Sequence, residues 1–152
     1  MEIEQWSLLD ARALRAMTPP IQRWLTNTNS LTKRLREWTD NEITLRLLFN
    51  DWENEKQTQW IRKIEWRFQN ERWVTGIVAI PARTAHANND ELTQLKEKPI
   101  GELLFQDPTL TRSPFLFFQV NEDAIARQST FHFRGNPLSV TEIFHPEFLK
   151  II

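Results

Sequence analysis

Cysteine is absent from the 152 residues, which excludes a disulfide framework, a thiolate nucleophile, an iron-sulfur cluster and a cysteine-ligated zinc ion. No apolar run approaches the ~18 to 20 residues of a membrane span, and Met1-Glu2-Ile3-Glu4 lacks the basic and apolar regions of a secretory leader. A soluble, cytoplasmic protein is therefore expected. Charge of one sign is also missing. Nineteen Lys and Arg against twenty Asp and Glu leave a net charge of -1, so no overall field favours nucleic acid or an anionic membrane. Glycine is confined to Gly76, Gly101 and Gly135, and each is expected to mark a positive φ or a place where a side chain cannot be tolerated. No glycine-rich phosphate loop or serine nucleophile elbow occurs. His86, His132 and His145 stand at no metal-ligand spacing, so no metal site is expected.

What the chain does have is bulk for a core. Forty per cent of residues are hydrophobic, with seven Trp and ten Phe, and the length fits a prior of about 150 residues for one domain, here 1–152. Residues 21–25 suit a short helix after Pro19-Pro20, and Ser30 is a good N-cap for a helix from Leu31 to about Trp38. Period-two patterning then begins: Ile43, Leu45, Leu47 and Phe49 alternate with polar residues. Trp60 to Phe68 and Trp73 to Ile80 read as a hairpin around a turn at 69–72. Asn89-Asp90 is expected to cap a short helix through Leu92 and Leu95, and another is expected at Ile100 to Phe105. Phe115 to Val120, Thr130 to Phe133 and Leu138 to Phe144 read as strands. Helices first and hairpins later predict an α+β fold with a largely antiparallel sheet.

Two strand faces carry an unexpected charge. Trp60, Arg62, Ile64, Trp66 and Phe68 share one face, and Leu138, Val140, Glu142 and Phe144 share another. A buried, unpartnered charge costs several kcal/mol. Arg62 and Glu142 therefore either pair with each other, reach a sheet edge, or face a polar cavity and its ligand. In the last case the guanidinium fork matches a carboxylate, and the enclosed carboxylate bonds a hydroxyl or handles a proton. Together they suit a small hydroxy acid.

Four blocks then occur in order: Ser30-Leu31-Thr32-Lys33-Arg34; Trp60-Ile61-Arg62 with Trp73-Val74-Thr75-Gly76 and Ile80-Pro81; Lys98-Pro99-Ile100-Gly101 through Leu104-Phe105 and Thr109-Leu110-Thr111-Arg112; and Gly135-Asn136-Pro137-Leu138 through Thr141-Glu142-Ile143-Phe144. Taken together they resemble the chorismate lyase family. The resemblance implies an antiparallel sheet of about six strands with helices on one side, a buried pocket under helical flaps, no metal or other cofactor, and often a monomer. It implies conversion of chorismate to 4-hydroxybenzoate and pyruvate, the first committed step toward ubiquinone, with product inhibition. The position of Arg62 then binds the ligand carboxylate, aided by backbone N–H groups of Leu31 and Ile100, and Glu142 meets the ring hydroxyl. Arg62 and Glu142 become the catalytic candidates.

One departure stands out. Relatives commonly carry arginine after the glycine matching Gly76, where this chain has Ile77, so Arg112, Lys33, Arg34 or another base is expected to supply the missing cation. Connections around 50–57 and 121–128 also look short beside those of relatives. A rival reading is a noncatalytic sensor of aromatic hydroxy acids, built on the related ligand-binding fold of transcription regulators. Against it, the residues before Ser30 are too few for a complete DNA-binding domain.

Overall fold

Alternating apolar residues build one antiparallel sheet, to which the helices contribute a cover. The computed structural model describes residues 5–152; the Met1–Glu4 opening, expected to carry no leader, lies outside them. Strands β1 (Ser7–Leu9), β2 (Thr44–Trp52), β3 (Gln59–Phe68), β4 (Glu71–Pro81), β5 (Thr111–Arg112), β6 (Leu116–Gln119), β7 (Ile125–Phe133) and β8 (Asn136–Phe144) lie in the order β1-β6-β7-β8-β4-β3-β2, with β5 beside β7. Six strands of four residues or more match the expected number, and β1 and β5 add two shorter ones. The α+β architecture is as expected.

Helices α1 (Ala11–Arg15), α2 (Pro19–Thr26), α3 (Leu31–Trp38), α4 (Ala82–His86), α5 (Ile100–Leu104) and α6 (Pro146–Leu149) complete the chain. Ser30 caps α3 as its sequence predicts, its hydroxyl accepting from the Lys33 N–H at 3.2 Å. Ile64, Trp66, Val74 and Phe144 pack with Trp24, Leu25, Leu35 and Phe148 in one core cluster. Val78, Ile80, Leu138 and Val140 pack with Ala85, Leu103 and Leu104 in another. These strand residues all occupy one face of the sheet, so α2 to α6 bury their apolar sides against that face. Full burial of a leucine such as Leu25 or Leu35 contributes about 2 kcal/mol.

Both main hairpins turn on two residues of positive φ, the geometry that matches strand twist. Gln69 and Asn70 (φ 49° and 65°) join β3 to β4, and Arg134 and Gly135 (φ 49° and 81°) join β7 to β8. Gly135 therefore serves the turn. Gly101 lines the cavity but meets neither expectation: it has no positive φ, and a Cβ there would meet only ordinary contacts, the nearest Thr32 Oγ1 at 3.5 Å.

The helix expected from Asn89-Asp90 through Leu95 does not form. Asn88, Asn89 and Asp90 all have positive φ, a left-handed conformation that Asn and Asp tolerate but that cannot propagate a right-handed helix. The helix lies earlier, at α4, and Leu92 is instead a buried plug, 2% exposed, in the second cluster. Strand β7 begins at Ile125 rather than Thr130, which matters for the site.

On the opposite sheet face a buried histidine meets a buried threonine. His145 Nε2 lies 2.7 Å from Thr75 Oγ1, and the His145 N–H donates to Trp73 O at 2.9 Å. Burial first, then the nearby Arg72 and Lys63 charges, lower the imidazole pKa to about 4, with Glu147 opposing them. The unfolded chain binds a proton below its ordinary pKa of about 6.5 and the folded chain refuses it until about 4, so stability falls as pH drops through that window. Between pH 7 and pH 5 this group is expected to remove about 2 kcal/mol. Urea unfolding of wild type and His145→Asn at the two pH values checks it: the variant should lose most of that dependence, and an unchanged slope contradicts the assignment.

Candidate active site

Strand register separates the two charges found on apolar faces. Arg62 stands opposite Val78, which stands opposite Val140; the next row is Ile64, Gly76 and Glu142. Arg62 and Glu142 are thus two strands apart and one row apart, roughly 12 Å between backbones by strand spacing and rise. They form no ion pair with each other among the described residues. Between them lies a cavity of about 60 Å³ bounded by both side chains and by Ile64, Gly76, Val78 and Arg112. Gly76 is the close-approach glycine: a Cβ there would come within 3.2 Å of Ile64 Cγ1. Its missing side chain keeps the floor between the charges open.

Arg62 is 1% exposed and braced by backbone. Its Nη1 donates to Lys96 O and its Nη2 to Lys98 O, each at 2.6 Å. Burial lowers its pKa from the ordinary arginine value. Three of its five N–H groups remain for a ligand. Leu31 and Ile100 also line the cavity, and each is the first residue of its helix, α3 and α5. First-turn amides have no intrahelical acceptor and favour an anion. The structure therefore brings Arg62, Leu31 and Ile100 to one cavity with Glu142. An ion pair between Arg36 of α3 and Glu102 of α5 links the two covering helices.

Glu142 is held by a residue that the sequence reading missed. Arg127, 1% exposed, faces it directly across the β7–β8 pair, and its Nε donates to Glu142 Oε1 at 2.8 Å. Its Nη1 donates to Leu25 O at 2.9 Å and Asn27 O at 2.8 Å, with Trp24 O at 3.3 Å. Those carbonyls end α2, where a cation is favoured. One guanidinium thus ties the carboxylate to a helix terminus. Alternation could have found it: Ile125, Arg127, Ser129, Phe131 and Phe133 share a face, a third apolar row broken by a charge.

Among the three named candidates for the missing cation, only Arg112 lines the cavity. It lies against the Phe115 and Phe131 rings, 4.5 and 4.3 Å from their centroids. Its Nε donates to Ser129 Oγ at 3.0 Å and its Nη1 to Thr28 O at 3.1 Å. Burial lowers its pKa to about 10, Glu142 opposing and Arg127 assisting, so it stays charged at neutral pH. Arg34 instead lies over the Trp24 ring and donates to Arg23 O, and Lys33 does not line the cavity. Ile77 pairs with Lys63 and Thr141; alternation turns its side chain to the far sheet face.

Removing Arg127 leaves one buried carboxylate and three carbonyls without their donor. Arg127→Met is expected to cost about 3 kcal/mol of stability, read by urea unfolding; a change below about 1 kcal/mol contradicts the bracing role.

Comparison with known proteins identifies the family. The family model described as chorismate lyase matches residues 4–150. A probable chorismate pyruvate-lyase of Coxiella burnetii is 35% identical over 150 residues, covering 81% of each chain. A chorismate pyruvate-lyase of Salmonella arizonae is 28% identical over 160 residues, covering 92% of this chain and 94% of its own. That of Pectobacterium atrosepticum is 27% identical over 135 residues, covering 82% and 76%. The chain belongs to the chorismate lyase family.

Proposed function

We propose that this protein is a cofactor-independent lyase that converts chorismate to 4-hydroxybenzoate and pyruvate. The observation that carries the reading is a cavity with a braced guanidinium, Arg62, at one end and a braced carboxylate, Glu142, at the other, across the open floor at Gly76. The names of its relatives support the same substrate. A ring bearing a carboxylate and a para hydroxyl has polar groups at opposite ends, as this cavity does. Arg62, with the first-turn amides of Leu31 and Ile100, takes the ring carboxylate. Glu142 accepts from the C4 hydroxyl.

In the reaction the C3–O bond to the enolpyruvyl group and the C4–H bond break. The hydrogen ends on the enolpyruvyl methylene, which becomes the methyl group of pyruvate, and the ring becomes aromatic. No water or redox partner is consumed. Aromatisation supplies the driving force, so the site's task is to hold one reactive conformer out of water, an effect worth at most about 7 to 11 kcal/mol. Glu142 fixes the C4 hydroxyl and thereby the direction of the C4 hydrogen.

The cavity of about 60 Å³ is smaller than the roughly 150 Å³ that admits benzene in an engineered apolar cavity. Ligand entry thus needs α3 and α5 to part, with Phe105, 42% exposed, at the edge. Because the product keeps both polar ends, it keeps both contacts, and release is expected to be slow and the product inhibitory. Such a protein would supply 4-hydroxybenzoate for ubiquinone.

The test is incubation of purified, metal-free protein with chorismate, with both products measured against a no-enzyme control. Equal amounts of 4-hydroxybenzoate and pyruvate are expected, and Glu142→Gln should lower kcat by about 100-fold or more at a temperature where circular dichroism shows the variant folded. No turnover with saturable 4-hydroxybenzoate binding would make the protein a sensor instead.

A further inference from the structure

We propose that Arg112 is the specificity-determining anchor for a second carboxylate, the one on the C3 enolpyruvyl ether, and that it separates the dianionic substrate from the monoanionic product. This rests on the lyase reading above and assigns a residue to the half of the substrate that Arg62 and Glu142 do not address.

Position comes first. Arg112 Nη2 lies 4.0 Å from Glu142 Oε1, at the end of the cavity where the C4 hydroxyl is placed. The C3 ether is the immediate ring neighbour of that hydroxyl, so its carboxylate falls to a cation at the Glu142 end and not to Arg62. Space agrees with position. Arg112, Phe105 and Phe131 are shared walls between the inner cavity and an adjoining outer recess that continues past Thr28, Ser113 and Phe115. Once α3 and α5 part, the ring enters the inner cavity, and the recess gives its C3 substituent room.

Donor capacity agrees too. Of the five N–H groups of Arg112, Nε is taken by Ser129 Oγ and one of Nη1 by Thr28 O. Nη2 makes no hydrogen bond among the described residues, and the nearest carboxylate oxygen is already engaged by Arg127. With two Phe rings against it and two hydrogen bonds holding Nε and Nη1, the guanidinium is fixed in direction while its two Nη2 donors are uncommitted. Charge closes the argument. Arg127 balances Glu142, leaving Arg62 and Arg112 as two cations beside the cavity, which a dicarboxylate neutralises and 4-hydroxybenzoate neutralises only by half. A buried unbalanced cation is costly, so the closed site favours substrate over product.

Arg112→Gln and Arg112→Lys test this against three ligands: chorismate, 4-hydroxybenzoate, and the meta-enolpyruvyl ether of benzoate, which is already aromatic and does not react. Arg112→Gln should lower kcat/KM for chorismate and affinity for the ether by about 100-fold. The 4-hydroxybenzoate Kd should stay within about threefold, which also shows the variant is folded. Arg112→Lys should recover part of the loss. A parallel fall in 4-hydroxybenzoate binding, or an ether affinity insensitive to residue 112, overturns the anchor. If wild type leaves chorismate intact while ether affinity still depends on Arg112, the lyase reading fails and the anchor stands.

Discussion

The hydrogen bond from Arg127 to Glu142 is the contact on which the rest of the site depends. A carboxylate on the covered face of a sheet is stable only if its charge is matched and its lone pairs are met. Arg127 does this from the adjacent strand, with side chain and partner in direct register. The same guanidinium closes the carbonyl end of α2, and a few residues beyond that end Ser30 caps α3. The Glu142 carboxylate, the end of α2 and the approach to α3 are therefore joined through one buried group.

The two ends of the cavity are built by different means. At the Glu142 end, side chains from β7, β8 and β5 brace one another on a continuous antiparallel ladder, which favours fixed geometry. At the Arg62 end, the bracing acceptors are the Lys96 and Lys98 carbonyls in the connection that leads into α5. Arg62 consequently reports on the seating of that connection as well as on a ligand. Opening of α3 and α5 then alters the carboxylate end while leaving the hydroxyl end on the sheet.

Much of this was legible in the sequence because strand period is strict. Arg62 and Glu142 were found by parity alone, and Ser30 and the 31–38 helix by cap chemistry. Arg127 escaped because 121–128 was read as a connection, so the alternation was counted only from Thr130; starting at Ile125 exposes it. The expected cationic deficit at Ile77 had a similar cause: the odd and even positions of β4 face opposite sides, and 77 is on the far one. Asn89-Asp90 departs from its expected cap for another reason, since the same residue types that cap helices also adopt left-handed backbone. The distance between Arg62 and Glu142 needed the strand order, which no local pattern contains.

The central claim is that the cavity reads a carboxylate at one end and a hydroxyl at the other. Calorimetric binding of 4-hydroxybenzoate and benzoate to wild type and Glu142→Gln tests it most directly, because the four affinities form a cycle that isolates the contact between the hydroxyl and Glu142. The account predicts that wild type prefers 4-hydroxybenzoate by about 10-fold or more and that the variant loses most of this preference while still binding benzoate. An equal preference in both proteins would contradict it.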